Sequence, residues 1–200
     1  DVELEMLAQT WSEHCKHKIF AAEVTYRDVE AGTEERIPGL FKTCIAEVTR
    51  RVAERKQENP PKGARGRDFL CSVFSDNAGV IAFDDHHDVC CKVETHNSPS
   101  ALDPYGGAIT GIVGVNRDIL GTGRGARPIL NTNVLCFGNP DTDEQAVPPG
   151  LMHPARVMDG VHQGIADGGN QSGIPVVGGA FLFDNSYLGK PLIFCGTGGI

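Results

Sequence analysis

The sequence predicts an α/β (α+β) fold in which a mixed sheet is flanked by helices. Short apolar runs of strand length alternate with longer stretches of helical periodicity along the chain. No segment recurs at a fixed period, which argues against a solenoid or a propeller. With 200 residues, of which 40% are apolar, the chain is long enough for one ordinary domain and an additional arm.

The first part of the chain is predicted to contain two helices around an extended segment. Apolar residues recur at helical spacing over 3–15 and again over 40–55. The segment 20–30 is predicted to be extended, and the polar, Pro-rich stretch 56–67 is predicted to be a loop.

The rest of the chain is predicted to form the sheet. The turn signal at 76–79 separates two strand-like runs, 70–75 and 80–83, and predicts a hairpin. Further strands are predicted at 89–94, 129–137, 174–177 and 191–195, and helices at the glycine-rich run from 106 and over 153–167.

Composition narrows the class of protein. The net charge of −8 disfavours a nucleic-acid partner, and no apolar run is long enough to cross a membrane. The seven cysteines form no C-x-x-C spacing, so neither a disulfide framework nor a zinc site is expected. We therefore expect the protein to be located in the reducing cytoplasm. Because the sequence starts at Asp1 and stops within an apolar, glycine-rich stretch, we interpret it as a piece of a longer protein.

The densest cluster of chemically useful side chains is the segment KVETHNSPS at 92–100. In a strand, Lys92, Glu94 and His96 would project to one face. Lys92 could neutralise a phosphate, Glu94 could ligate a hard divalent cation, and His96 could accept a proton at neutral pH. A solvated strand end with a salt bridge explains the same residues equally well, so both interpretations stay open here.

A second cluster is the glycine-rich run from Tyr105 to Pro128. Glycine lets backbone N–H groups approach phosphate oxygens, Arg117 could add a bidentate contact, and Asp118 could be a second metal ligand. The run is neither a Walker A loop nor a dinucleotide fingerprint. Close packing of a helix explains such runs more often than ligand binding does.

Two further segments carry weaker signals. In WSEHCKHK, His14 and His17 could share a helix face as metal ligands, and Cys15 could be a nucleophile, although a buried thiol at a helix end is the more ordinary explanation. The run DGGNQSGIP at 167–175, followed by Val177-Gly178-Gly179, indicates a helix stop and a strand. Ligand contact is the secondary interpretation of that run.

Taken together, these motifs resemble one family. The strings SEHC, KVETHNSPSALDPYGGAITG, GVNRD, GARPI and GIPVVGG occur in the order found in formylglycinamidine ribonucleotide synthetases, and they extend from the motif that contains His14 to Gly179. That family belongs to the superfamily named after aminoimidazole ribonucleotide synthetase. The resemblance implies the N-terminal domain of that fold, pairing into a barrel across a dimer or pseudo-dimer.

The resemblance also implies a reaction. Members of the family use ATP and Mg²⁺ to convert formylglycinamide ribonucleotide and ammonia to the amidine in de novo purine biosynthesis, through an iminophosphate. Carried over by position, the resemblance assigns catalysis to His14 and His96, and ATP binding to His17 and Lys92. It assigns metal binding to Glu94 and Asp118. It assigns substrate binding to Thr95, His96, Asn97, Ser98 and Arg117.

The resemblance further implies an organisation and partners. Residues 1–30 would be an arm carrying SEHC, and residues 31–200 the N-terminal ATP- and substrate-binding domain. The C-terminal half and the ammonia-producing glutaminase would lie outside this sequence. The domain would act as a homodimer or pair with its own C-terminal half.

Two departures from the family's pattern bear on the binding residues. Ser98 stands where a second histidine is common, and His17 stands where a tyrosine contacts ATP. One alternative is a different ATP-dependent enzyme of the superfamily, such as aminoimidazole ribonucleotide synthetase or a relative that acts on selenophosphate or thiamine phosphate, although SEHC and ETHN disfavour it. The other is a non-catalytic, nucleotide-binding dimerisation module.

Overall fold

The structure, a computed structural model, describes residues 1–9, 17–58 and 69–200. The chain divides into two compact units, Asp1–Asp68 and Phe69–Ile200. The boundary predicted after residue 30 divides the chain by motif rather than by packing, and it stays a prediction.

The first unit combines helices with one hairpin. Its elements are α1 (Val2–Gln9), α2 (Lys18–Ala21), β1 (Val24–Asp28), β2 (Thr33–Ile37), a π-helical turn (Phe41–Ala46) and α3 (Glu47–Glu58). Strands β1 and β2 pair antiparallel, and Arg27 forms a 2.7 Å ion pair with Glu34 across them. The helix predicted over 40–55 and the extended segment within 20–30 are confirmed. The end of the helix predicted over 3–15 and most of the predicted loop lie outside the described residues.

The second unit contains a six-stranded mixed sheet in the spatial order β3-β4-β5-β8-β6-β7. Its strands are β3 (Leu70–Ser72), β4 (Gly79–Ala82), β5 (Asp88–Thr95), β6 (Pro128–Phe137), β7 (Val176–Phe183) and β8 (Leu192–Gly199). Its helices are α4 (Asn97–Leu102), α5 (Pro104–Gly121) and α6 (Pro154–Ser172). The pair β6–β7 is parallel and the other pairs are antiparallel. The predicted mixed sheet flanked by helices is therefore confirmed.

The long helices begin and end where the sequence supplies caps. Asp103 accepts a hydrogen bond from the Gly106 N–H at the start of α5, and His153 accepts one from the Ala155 N–H at the start of α6. Each cap is followed by a proline at the first helical position, where a missing N–H costs nothing. Helix α6 ends at Ser172 and is capped by Gly173, whose φ of +66° suits glycine.

The core lies between these two helices and one face of the sheet. Alternate residues of β6 and β8 point to this face and are buried together with one stripe of each helix. The buried set is Ala108, Ile112, Val115, Leu135, Phe137, Val157, Val161, Ile165, Ile193 and Cys195. Burial raises the pKa of the Cys195 thiol to about 12, so this cysteine is an inert core residue. Within the described parts of the chain, no helix has the length and apolar character needed to span a membrane.

Candidate functional site

Three charged side chains meet between strand β5 and helix α5. The ammonium nitrogen Nζ of Lys92 lies 3.0 Å from Oε1 of Glu94 and 3.6 Å from Oδ2 of Asp118. Lys92 and Glu94 are two residues apart in β5, so they share the face that α5 covers. Asp118 comes from the last turns of α5. The sequence-based expectation that these residues lie together agrees with this geometry.

The environment keeps Lys92 charged. Partial burial lowers the pKa of Lys92, but the hydrogen bond with Glu94 and the charge of Asp118 outweigh burial, so the net pKa lies above its ordinary value. Lys92 therefore remains a cation throughout the neutral pH range. The side chains are 29% exposed for Lys92, 49% for Glu94 and 26% for Asp118, so a ligand can reach all three.

His96 follows β5 directly and is held in one orientation. Its backbone N–H donates to the Ile193 carbonyl at 2.9 Å, and its ring nitrogen Nδ1 lies 2.5 Å from the Gly107 carbonyl oxygen. Because a carbonyl oxygen only accepts, Nδ1 must carry the proton. The neutral ring then has an unprotonated Nε2, which is the atom that could accept a proton from a substrate.

The neighbours of His96 differ in what they offer a ligand. Asn97 uses its side-chain oxygen to accept the Ile193 N–H at 2.8 Å, which ties the start of α4 to β8. Ser98 is exposed in the first turn of α4. Thr95 is exposed at the end of β5, and strand alternation directs it away from the face that carries Glu94. Arg117 is exposed on α5 beside Asp118.

Two further histidines that the resemblance assigns to the site belong to the first unit. His17 is exposed just before α2, with its ring centroid 6.1 Å from that of Phe20. His14 lies outside the described residues. Their roles stay predictions.

The carboxylates of Glu94 and Asp118 are the candidate metal ligands. Among residues 1–9, 17–58 and 69–200, no group of three or more His, Cys, Asp or Glu side chains is arranged to hold a metal ion. Mg²⁺, however, is commonly held by one or two carboxylates together with phosphate oxygens and water. Two carboxylates that converge on one ammonium group fit that mode of binding.

Two glycines of α5, Gly107 and Gly111, allow close packing against the segment that follows β5. A Cβ atom at Gly107 would lie 2.5 Å from the Ser100 backbone nitrogen, and one at Gly111 would lie 3.0 Å from Cβ of His96. The packing interpretation of this part of the run is therefore supported. Gly123, Arg124 and Gly125 all have positive φ and form the turn before β6, where a phosphate contact stays a prediction.

Two cavities of the second unit lie apart from these residues. One, of about 460 Å³, is lined by Arg124 and its neighbours in the turn before β6 and by Asp76, His86 and His87, which flank β4. The other, of about 600 Å³, lies between α6 and strands β6 and β7, with Asn133, His162 and Phe181 in its wall. Neither cavity is lined by Lys92, Glu94 or His96.

Comparisons with known proteins identify the family. Residues 75–200 match the family described as AIR synthase related protein, N-terminal domain. The chain belongs to the AIR synthase related family. Residues 1–18 match the formylglycinamide ribonucleotide amidotransferase linker domain, which agrees with the resemblance stated from the motifs.

Relatives of this AIR synthase related chain include large synthase subunits. It is 34% identical over 200 residues to the phosphoribosylformylglycinamidine synthase subunit PurL of Thermoplasma acidophilum, covering 100% of the chain and 21% of that protein. It is 36% identical over 195 residues to PurL of Nocardia farcinica, covering 96% of the chain and 20% of that protein. The chain thus spans about a fifth of the length of these relatives.

Solved structures give the same picture for the fold. The match to Thermotoga maritima PurL complexed with ATP covers 99% of this chain and 24% of the PurL chain, with a TM-score of 0.57 and 29% identity. The match to the same protein complexed with FGAR covers 66% of this chain and 19% of the PurL chain, with a TM-score of 0.51 and 36% identity. These matches confirm the predicted AIR synthase-like fold and the family resemblance, whereas the pairing into a barrel stays a prediction.

Proposed function

We propose that this chain contributes the ATP- and substrate-binding part of an enzyme that converts formylglycinamide ribonucleotide (FGAR) and ammonia to formylglycinamidine ribonucleotide with ATP. The observation that carries the proposal is the convergence of Lys92, Glu94 and Asp118 close to the end of β5, where an oriented His96 follows. The similarity to PurL over the whole chain supports the same assignment.

In this proposal the acidic residues hold a metal and the cation holds a phosphate. Glu94 and Asp118 would bind Mg²⁺, which neutralises the charge that develops on a transferring phosphoryl group. Lys92 would bind an ATP phosphate, because it is a compact cation that stays charged at neutral pH. Arg117, exposed beside Asp118, would bind the substrate phosphate through its planar guanidinium.

His96 would be the proton acceptor. Attack of ammonia on an activated amide leaves a protonated nitrogen, and a neutral imidazole nearby can remove that proton. The hydrogen bond to the Gly107 carbonyl fixes the tautomer that leaves Nε2 available. Thr95, Asn97 and Ser98 would contact the substrate around His96, with His14 in catalysis and His17 in ATP binding from the arm of residues 1–30. The remaining residues, 31–200, would form the binding domain of a cytoplasmic enzyme.

Turnover by the full-length protein tests this function. With FGAR, ammonium, ATP and Mg²⁺ it should release ADP and the amidine in equal amounts. His96→Ala should lower kcat by about a hundredfold or more, the usual contribution of a positioned acid–base group. His162→Ala, an exposed histidine of α6, is the matched control and should keep kcat within about twofold.

Three outcomes would contradict the proposal. Normal activity of His96→Ala would remove the role of His96. ADP release that depends on formylglycinamidine ribonucleotide or thiamine phosphate instead would favour another enzyme of the superfamily. Magnesium-dependent nucleotide binding without turnover on any of these substrates would favour the non-catalytic dimerisation module.

We further propose that the face of the sheet opposite α5 and α6 pairs with a second copy of the domain or with the protein's own C-terminal half. Strand alternation places Ile81, Val93 and Leu182 on this face, where they are 39%, 38% and 53% exposed. Apolar side chains that share an exposed face mark an interaction surface more often than a free one.

A charge on this face should disrupt the pairing. In the full-length protein, Val93→Lys should either convert a dimer to a monomer in sedimentation analysis or lower the melting temperature of a monomer, depending on which partner covers the face. Val113→Lys is the matched control, because Val113 is 42% exposed on α5, outside this sheet face. Wild-type sedimentation and melting of Val93→Lys would contradict the pairing.

A further inference from the structure

Three polar side chains that hydrogen-bond to one another are buried under helix α5. Oδ1 of Asn116 accepts hydrogen bonds from Nδ2 of Asn131 and from the Thr197 hydroxyl, both at 2.8 Å. The Thr197 hydroxyl in turn accepts from Nδ2 of Asn131 at 2.7 Å. The three residues are 6%, 0% and 1% exposed, respectively. We call Asn116, Asn131 and Thr197 the buried triad.

The triad occupies the same level of the sheet as Lys92. Thr197 of β8 pairs with Lys92 of β5 on one side and with Asn131 of β6 on the other. Paired residues point to the same face, so Lys92, Thr197 and Asn131 form one row facing α5. Helix α5 contacts this row twice, through Asn116 at the triad and through Asp118 at Lys92.

Apolar packing alone would not fix these contacts. Ile112, Val115 and Ile119 of α5 are fully buried, but hydrophobic contacts are non-directional and tolerate small shifts of a helix. Hydrogen bonds have strict distance and angle requirements, and buried polar groups can fix one register among several. The triad supplies that constraint two residues before Asp118.

We propose that the buried triad is a positioning device that sets the rotation and height of α5, and thereby holds Asp118 against Lys92, which also contacts Glu94. The inference rests on the proposed function, because it assigns Asp118 a place in that site. None of the triad residues touches the reacting groups. They act through Asp118, and their loss should change catalysis more than it changes stability.

Thr197→Val is the sharpest test, because valine has nearly the same shape and removes both hydrogen bonds of the hydroxyl. In the full-length protein, kcat should fall by about tenfold or more and the half-saturating Mg²⁺ concentration should rise, while KM for FGAR stays near its wild-type value. Thr197→Ser keeps the hydroxyl and should restore kcat to within about threefold. Val161→Ala, in the core on α6, is the control for a loss of stability that leaves the triad intact.

Crystal structures of the same four proteins provide a second measurement. In Thr197→Val the distance between Lys92 Nζ and Asp118 Oδ2 should exceed its wild-type value, whereas Thr197→Ser and Val161→Ala should keep it. An unmoved Asp118 in Thr197→Val would overturn the proposal. If Val161→Ala and Thr197→Val had the same melting temperature and showed an equal fall in kcat, that result would also overturn the proposal. If wild-type protein does not turn over FGAR, the proposed function fails, and the crystal comparison still decides whether the triad positions Asp118.

Discussion

Gly107→Ala is expected to destabilise the protein and to impair catalysis together. The new Cβ would lie 2.5 Å from the backbone nitrogen of Ser100, 2.6 Å from its Cα and 2.7 Å from the carbonyl carbon of Pro99. These atoms belong to the backbone of α4 and cannot rotate away. Overpacking of this kind costs about 1–3 kcal/mol, which should appear as a lower free energy of unfolding in urea.

The catalytic effect of Gly107→Ala follows from His96. The Gly107 carbonyl holds Nδ1 of His96, and α4 begins at the residue after His96, so a shift between α4 and α5 displaces the ring. A displacement near 1 Å can lower kcat by about a hundredfold. The measurement is kcat of the full-length protein at saturating substrates.

Gly114→Ala is the matched control in the same helix. A Cβ atom at Gly114 would have no neighbour within 4 Å, so the substitution adds only helix propensity. Alanine in place of glycine inside a helix stabilises by about 0.5–1 kcal/mol. Equal free energies of unfolding for the two variants would show that the close approach at Gly107 is not a constraint.

Local sequence signals predicted the elements that a short stretch of sequence specifies. The turn at 76–79 gave the β3–β4 hairpin, and the helical periodicity over 153–167 gave α6. Strand β7 was predicted only to Val177, because Gly178 and Gly179 disfavour strands. The parallel partner β6 overrides that preference, and a Cβ at Gly179 would lie 2.3 Å from the Asn133 carbonyl oxygen. No short window of sequence contains that partner.

The first hairpin escaped the sequence analysis for a related reason. Strand β2, with the sequence TEERI, has no alternation of apolar residues, so no strand was assigned there. Strand β2 pairs with β1 through the backbone, and two charge pairs join Arg27 to Glu34 and Arg36 to Glu23. Such pairs become visible only when the two strands are aligned.

Part of the candidate site followed from spacing, and part required the tertiary structure. Strand alternation predicted that Lys92 and Glu94 share a face, and their 3.0 Å contact agrees. The tautomer of His96 depends on the carbonyl of Gly107, eleven residues away in α5. The buried triad joins residues far apart in sequence, although Asn131 in a largely apolar strand was a signal that polar partners lay opposite.

Glu94→Gln, which replaces one carboxylate oxygen by an amide nitrogen, should lower catalysis strongly. Glutamine keeps the shape of Glu94 and can still accept a hydrogen bond from Lys92, but it removes one of the two negative charges that meet at Lys92 Nζ. If Glu94 is a metal ligand, the loss of that charge weakens Mg²⁺ binding and the stabilisation of the phosphoryl group. We expect kcat/KM for ATP to fall by at least about a hundredfold, which corresponds to roughly 3 kcal/mol of transition-state stabilisation.

The dependence of the rate on Mg²⁺ concentration distinguishes metal binding by Glu94 from a simple salt bridge between Glu94 and Lys92. If Glu94 only pairs with Lys92, Glu94→Gln should lower kcat/KM at every Mg²⁺ concentration alike, and added metal should restore nothing. If Glu94 binds the metal, the half-saturating Mg²⁺ concentration should rise by about tenfold or more and excess Mg²⁺ should recover part of the rate. Glu144→Gln, which neutralises an exposed carboxylate in the turn Glu144–Ala146, controls for the change in net charge and should leave both quantities unchanged. A parallel loss in both variants would assign the effect to long-range charge rather than to coordination at Glu94.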